Sequence, residues 1–220
     1  MIKLKMVLVI GLAILGLLLA GYGISPYLFT ASGFHSAQLL PAPRPMIEFT
    51  LENQKGARFT EEELKGHWNL VFFGFTHCPD MCPLELQALT KVLQMAKQQN
   101  QTQVQAVFIS LDPERDSAQK ISNYLATFNS TMVGLRGANS ELVLLNSFFN
   151  IDHSRSLVLS DSPLTIPAGV NMPDDIVGDY QVEHSGRIFI IDPDGKYLGS
   201  FAQPHSAKNI WEDLQMIIKR

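Results

Sequence analysis

Apolar positions along the chain change their spacing several times, and each change marks an element. From Met6 to Ile24 there is no charge at all, and Leu, Ile, Val and Gly dominate. As a helix rising about 1.5 Å per residue, this run spans ~28 Å, close to the hydrocarbon thickness of a bilayer. Residues 25–45 lose the pattern. Pro26, Pro41, Pro43 and Pro45 sit among scattered Ser, Ala and Gly, which predicts a proline-stiffened spacer. Leu70-Val71-Phe72-Phe73-Gly74-Phe75 is continuously apolar, as expected of a strand buried on both faces. Leu86, Leu89, Leu93 and Ala96 then recur at helical spacing between Pro83 and Gln99, and Val104 to Leu111 reads as a second buried strand. Ile121, Tyr124, Leu125 and Phe128 stripe the next helix, with Asp116 as its expected cap and Gln119 three residues on.

Val133-Gly134-Leu135 predicts a short strand, and Leu142, Leu145 and Phe149 a further helix. Arg187–Ile191 and Lys196–Phe201 flank Asp192-Pro193-Asp194-Gly195, a hairpin signal. The chain closes on a helix whose face carries Ile210, Trp211, Leu214, Ile217 and Ile218. Strand–helix–strand early, then an antiparallel hairpin and a helix, describes an α/β sandwich of the thioredoxin type. It is expected to carry an N-terminal β extension and to be preceded by one transmembrane helix. The expected division is 1–5 cytoplasmic N-terminus, 6–24 anchor, 25–45 spacer and 46–220 domain.

Charge decides the orientation of the apolar run. Lys3 and Lys5 stand just before it, and no Lys or Arg follows until Arg44. The positive-inside rule places the N-terminus in the cytoplasm and the domain outside. A cleaved signal peptide fits less well, since Ala20-Gly21-Tyr22 is a poor cleavage site. The run has no cysteine for a lipoprotein anchor and no Arg/Ser-rich presequence before it, so the expected setting is a bacterial inner membrane, spanned once, with the domain in the periplasm. Over all 220 residues, 17 Lys+Arg face 21 Asp+Glu, which excludes a nucleic-acid binder relying on global basicity. Hydrophobic residues at 46% and charged residues at 17% exclude a disordered chain.

The two cysteines exclude a disulfide-dense scaffold and any four-thiolate metal site within one chain. Both lie in Thr76-His77-Cys78-Pro79-Asp80-Met81-Cys82-Pro83, at C-x3-C spacing between the first buried strand and its helix. Pro83 suits the first helical position, which makes Cys82 the expected cap and Glu85 its expected capping partner. A thiol at a helix N-terminus is drawn toward thiolate, and two such sulfurs select a soft metal such as Cu(I) or oxidise to a disulfide. A purely structural disulfide would restrain little chain across so short a loop. A zinc site would need two more ligands, and only His77 and Asp80 are near.

Phe73-Gly74-Phe75-Thr76-His77-Cys78-Pro79-Asp80-Met81-Cys82-Pro83 resembles the signature of the Sco/SenC family of copper-binding, thioredoxin-like proteins. Ser110-Leu111-Asp112-Pro113-Glu114-Arg115-Asp116 resembles the family's segment after the second core strand. Tyr180-Gln181-Val182-Glu183-His184-Ser185, followed by Ile190-Ile191-Asp192-Pro193-Asp194-Gly195, resembles its late histidine and hairpin. The resemblance implies one copper ion, Cu(I) or Cu(II), held by Cys78, Cys82 and His184. It also implies service in assembling the dicopper centre of cytochrome c oxidase. The implied partners are the oxidase's copper-bearing subunit, another periplasmic copper chaperone or thiol reductant, and the membrane.

Three functional classes fit these residues: a metallochaperone, a dedicated thiol–disulfide oxidoreductase using Cys78 and Cys82 as its catalytic pair, and a copper or redox sensor. A peroxiredoxin-type peroxidase fits less well. Asp152-His153-Ser154 echoes Glu183-His184-Ser185, so His153 is the alternative to His184 as ligand. His35, His67, His77 and His205 read as surface or supporting residues, and Asp112 to Asp116 as a strand-end turn with an Arg115 ion pair. Met81, Met132 and Met172 read as filling rather than ligands. Residues 155–179, with Pro163, Pro167, Gly169, Pro173 and Gly178, read as an enlarged loop near His184.

Overall fold

The computed structural model describes residues 33–159, 162–173 and 180–220. The expected anchor at 6–24 lies outside them. Among the described residues, no helix is long and apolar enough to cross a membrane.

In chain order the strands are β1 (Ala37–Pro45), β2 (Leu51–Asn53), β3 (Arg58–Phe59), β4 (Trp68–Gly74), β5 (Val104–Ser110), β6 (Val133–Arg136), β7 (His153–Leu159), β8 (Ser162–Pro167), β9 (Gln181–His184), β10 (Ile188–Ile191) and β11 (Lys196–Phe201). The helices are α1 (Met81–Gln98), α2 (Ala118–Ala126), α3 (Asn139–Phe149) and α4 (Ala207–Ile218), with a 3-10 turn at Glu61–Leu64. An eight-stranded sheet runs in the order β1-β11-β10-β4-β5-β6-β2-β3. β4, β5 and β6 are parallel, so helices must return the chain between them, and α1 and α2 do so. β10 and β11 join antiparallel as the hairpin pattern predicts, with Gly195 at φ +76° in its turn.

Strand β4 sits in the middle of this sheet, which explains its unbroken apolar sequence: Leu70, Phe72 and Phe73 are fully buried. Its one polar interior residue, Asn69, donates to the carbonyls of Leu64 and His67 and accepts from Gln105, so no amide atom is stranded. Phe73, Phe149, Phe189 and Tyr197 fill one side of the sheet, Phe149 and Phe189 with ring centroids 4.7 Å apart. The expected helical stripe of Leu86, Leu89, Leu93 and Ala96 is buried throughout, and α1 lies against α4.

Three expectations are corrected. The end of the spacer is a strand: β1 pairs antiparallel with β11, and the folded unit begins at His35. Proline is tolerated because β1 is an edge strand whose ladder is interrupted between Leu39 and Arg44. The buried Asp213 carboxylate fixes its start, accepting from the amides of His35, Ser36 and Ala37. At Gly199 (φ +149°) a Cβ would lie 2.2 Å from the Gln38 carbonyl oxygen, so glycine lets β1 approach β11. Within the expected loop 155–179, the described residues do not form a simple loop either. β7 and β8 form a hairpin and, with β9, a separate three-stranded sheet in the order β8-β7-β9. Finally, Ser117 and not Asp116 caps α2, accepting from the Lys120 amide. Asp116 is turned inward and fully buried.

Candidate metal centre

The sulfur pair is set by the exit from β4. Beyond Gly74 the chain turns through Phe75–Asp80 into α1, and the buried Asp116 carboxylate holds that turn. It accepts from the Thr76 amide (2.9 Å), the Thr76 hydroxyl (2.6 Å) and the Ser110 hydroxyl (2.6 Å). The helix begins at Met81, one residue before the expected cap, and Asp80 makes no side-chain cap bond. The Cys82 amide instead donates to the Cys78 sulfur at 3.3 Å, so sulfur takes the place of a capping oxygen. Pro83 has no amide that needs a partner. Cys82 is fully buried against β4: a Cβ on Gly74 would lie 2.9 Å from its sulfur. Cys78 is half-buried.

His184 ends β9 and comes from 102 residues beyond Cys82. Its Nε2 lies 3.8 Å from the Cys82 sulfur, and the two sulfurs and one ring nitrogen all fall within 4.8 Å of one another. Nδ1 lies 3.0 Å from the Ser185 carbonyl oxygen. Donating there fixes the proton on Nδ1 and turns the Nε2 lone pair toward the sulfurs, where a metal would sit. The ring meets Phe72 and Phe75 edge-on, with centroids 6.0 and 5.8 Å away, so two aromatic rings hold it in place together with the Ser185 carbonyl.

The thiols are electrostatically unlike. A hydrogen bond from the Cys82 thiol draws the Cys78 thiol well below the ordinary range; burial opposes this, and the amides of Cys82 and Asp80 add to it. Donation to Cys78 and burial push the Cys82 thiol upward. Cys78 is therefore the thiolate at neutral pH, and Cys82 gives up its proton when a metal or an oxidant claims it. Two soft sulfurs and one neutral imidazole suit a monovalent copper ion, and the same two sulfurs can close a disulfide.

Residues 38–219 match the SCO1/SenC family model. The chain belongs to the SCO1/SenC family. Among curated relatives, it is 34% identical over 173 residues to the mitochondrial SCO2 homologue of Danio rerio, covering 78% of this chain and 56% of that protein. This chain thus spans little more than half the length of that relative. Among solved structures, it resembles Bradyrhizobium japonicum ScoI with copper bound at 31% identity and a TM-score of 0.63, covering 79% of this chain and 98% of that one. Arabidopsis thaliana ScoI with copper bound matches at 28% identity and a TM-score of 0.66, covering 79% and 97%. The α/β thioredoxin-like architecture expected from the sequence is thus that of SCO1/SenC proteins.

Other candidate residues of this SCO1/SenC chain fall elsewhere. His153 is the direct ladder partner of His184, yet it lies outside the three-atom cluster, with Nδ1 at 3.2 Å from the Asn146 side-chain nitrogen and a buried Nε2 without a hydrogen bond. Burial holds its ring well below the usual histidine range, at about 4. His77, Asp112 and Asp116 also converge, but both carboxylates are committed to Arg115, Tyr180, Thr76 and Ser110. Met81 is exposed beside the cysteines, whereas Met132 and Met172 are buried. His35 keeps an exposed ring near Glu212. His205 is a correction: its side chain is almost wholly buried, with Nδ1 on Glu85 and Nε2 on the Phe201 carbonyl. Glu85 faces that ring rather than the helix start. Sequence reasoning missed the Phe72 and Phe75 cradle, whose signal was the three phenylalanines of Phe72-Phe73-Gly74-Phe75 just before the cysteines.

Proposed function

We propose that this chain carries copper as cargo on Cys78, Cys82 and His184, and serves assembly of the dicopper centre of cytochrome c oxidase. The observation that carries this reading is the convergence of two thiol sulfurs with an imidazole nitrogen whose lone pair faces them. Copper in the related ScoI structures of B. japonicum and A. thaliana supports it. Three donors leave a Cu(I) ion open to a fourth, so an acceptor's ligand can bond before the old ones leave. Cys78 is the accessible side of the site. Oxidation of the pair to a disulfide removes both thiolates and switches binding off. The apolar run at 6–24 is the proposed anchor, with its N-terminus in the cytoplasm and the domain in the periplasm.

The test is a titration of the reduced full-length chain with Cu(I) against a chromophoric chelator. One ion per chain is expected, with binding abolished in Cys78→Ala and weakened in His184→Ala. Unchanged affinity in His184→Ala overturns the three-donor site.

A second reading, reduction of the acceptor's own disulfide, draws on the unlike thiols. The Cys78 thiolate attacks one partner sulfur and expels the other as a thiolate. The Cys82 thiol then gives up its proton and attacks Cys78, releasing the first partner sulfur. Two electrons pass to the partner, which leaves as a dithiol, and Cys78–Cys82 remains as a disulfide. His184 takes no part, so reductase activity that survives in His184→Ala while copper binding falls would separate the two uses.

A further inference from the structure

The two halves of the site belong to different sheets, and one short segment grips both. Asp112 to Asp116 follows β5, and Arg136 on β6 ties its backbone to the main sheet. The Arg136 Nε donates to the Asp116 carbonyl (3.0 Å) and Nη2 to the Pro113 carbonyl (3.1 Å). Toward the sulfurs, the Asp116 carboxylate holds Thr76, two residues before Cys78. Toward the imidazole, the grip comes from three side chains. The Glu114 Oε1 accepts from Arg155 Nη1 (2.7 Å), Asn139 Nδ2 (2.9 Å) and the Met172 amide (3.1 Å). Arg155 is fully buried on β7, also donates to the Val170 carbonyl, and stands opposite Val182, two residues before His184. The Tyr180 hydroxyl donates to Asp112, and the Arg115 guanidinium lies 3.6 Å over the Tyr180 ring.

We propose that Glu114, clasped to Arg155, is a positioning residue that holds the histidine-bearing sheet in register with the cysteine turn. A fully buried guanidinium is costly to place without a carboxylate partner, so the clasp fixes β7, and β7 fixes β9 through their ladder. Tyr180 on Asp112 is the second fastening of the same sheet. Neither Glu114 nor Arg155 is among the converging metal donors. Their effect on the ion runs through the placement of His184.

The first test needs no metal. Hydrogen exchange on the reduced full-length chain should show Glu114→Gln raising the exchange of amides in 153–157 and 181–184 about tenfold, with β4 and β5 unchanged. Tyr180→Phe, which leaves the clasp intact and removes one hydroxyl, should raise the same amides less, and it stands in should Glu114→Gln misfold. Unchanged exchange in those strands, or an equal rise through β4 and β5, overturns the proposal. The second test rests on the copper reading above. Glu114→Gln should lower Cu(I) affinity about tenfold, yet add nothing in a His184→Ala background. An equal loss in both backgrounds overturns the positioning role. Should the unmutated chain take up no Cu(I), the copper reading falls, and the exchange measurement alone decides the clasp.

Discussion

Cys78 and Cys82 lie where a central strand runs into its helix, and the carboxylate that fixes their turn comes from 40 residues beyond Thr76. His184 stands at the end of a four-residue strand in a separate three-stranded sheet, 102 residues from Cys82. The Cys82 sulfur is buried against Gly74 of β4 and Cys78 is half-buried beside it, whereas the imidazole rests edge-on against two aromatic rings and on one carbonyl. The contrast assigns different freedoms. The distance between the sulfurs belongs to the rigid sheet, while the nitrogen can be moved by whatever moves the small sheet. For the copper carriage proposed above, one donor of that kind favours release as well as binding.

Acid should expose the difference most strongly. An unfolded chain binds a proton at His153 below about pH 6.5, whereas the folded chain resists until about 4, so stability falls as pH drops through that window. The loss should reach about 3 kcal/mol at its foot. Urea midpoints at pH 7, 5 and 4 should fall less steeply in His153→Asn than in the unmutated chain, and identical slopes would remove His153 from the account. Next in size is Gly74→Ala. The added carbon would lie 2.9 Å from both the Cys82 sulfur and the Phe108 ring, in a fully packed strand, and should cost about 1–3 kcal/mol in denaturant unfolding. The smallest effect belongs to Gly186→Ala beside the histidine. There the three atoms nearest the added carbon all belong to the far end of the Gln203 side chain, which can swing away and give up its bond to Glu85. The expected cost is about 1 kcal/mol. A Gly186→Ala variant as damaged as Gly74→Ala would mean that the nitrogen side is as tightly enclosed as the sulfur side.

The parts of the molecule that were legible in sequence are those whose partners are near in the chain or whose burial is complete. The α1 stripe, the β4 and β5 runs and the β10–β11 hairpin all form where their patterns place them. The cysteine pair was legible for the same reason. β1 was not, because its pairing of Ala37 with Phe201 joins opposite ends of the domain and its prolines mimic a linker. The β7–β8 hairpin was hidden by Pro163, Pro167 and Gly169, residues that an edge strand and its turn tolerate and a central strand does not. The histidine was half legible. His153 and His184 occupy near-identical tripeptides, and the fold sets them directly opposite one another, so spacing alone could not choose between them. The inward roles of Asp116, Glu85 and His205 depend on partners far along the chain, and no local pattern announces them.

The outer border of the large sheet has a consequence for how copies of this chain meet. Pro41, Pro43 and Pro45 lie along it, within or just beyond the stretch between Leu39 and Arg44 where the ladder is interrupted. None of the three can donate a hydrogen bond, and the opposite border, β3, is only two residues long. A neighbour's strand finds little there to zip onto, which protects crowded copies from amyloid-like stacking.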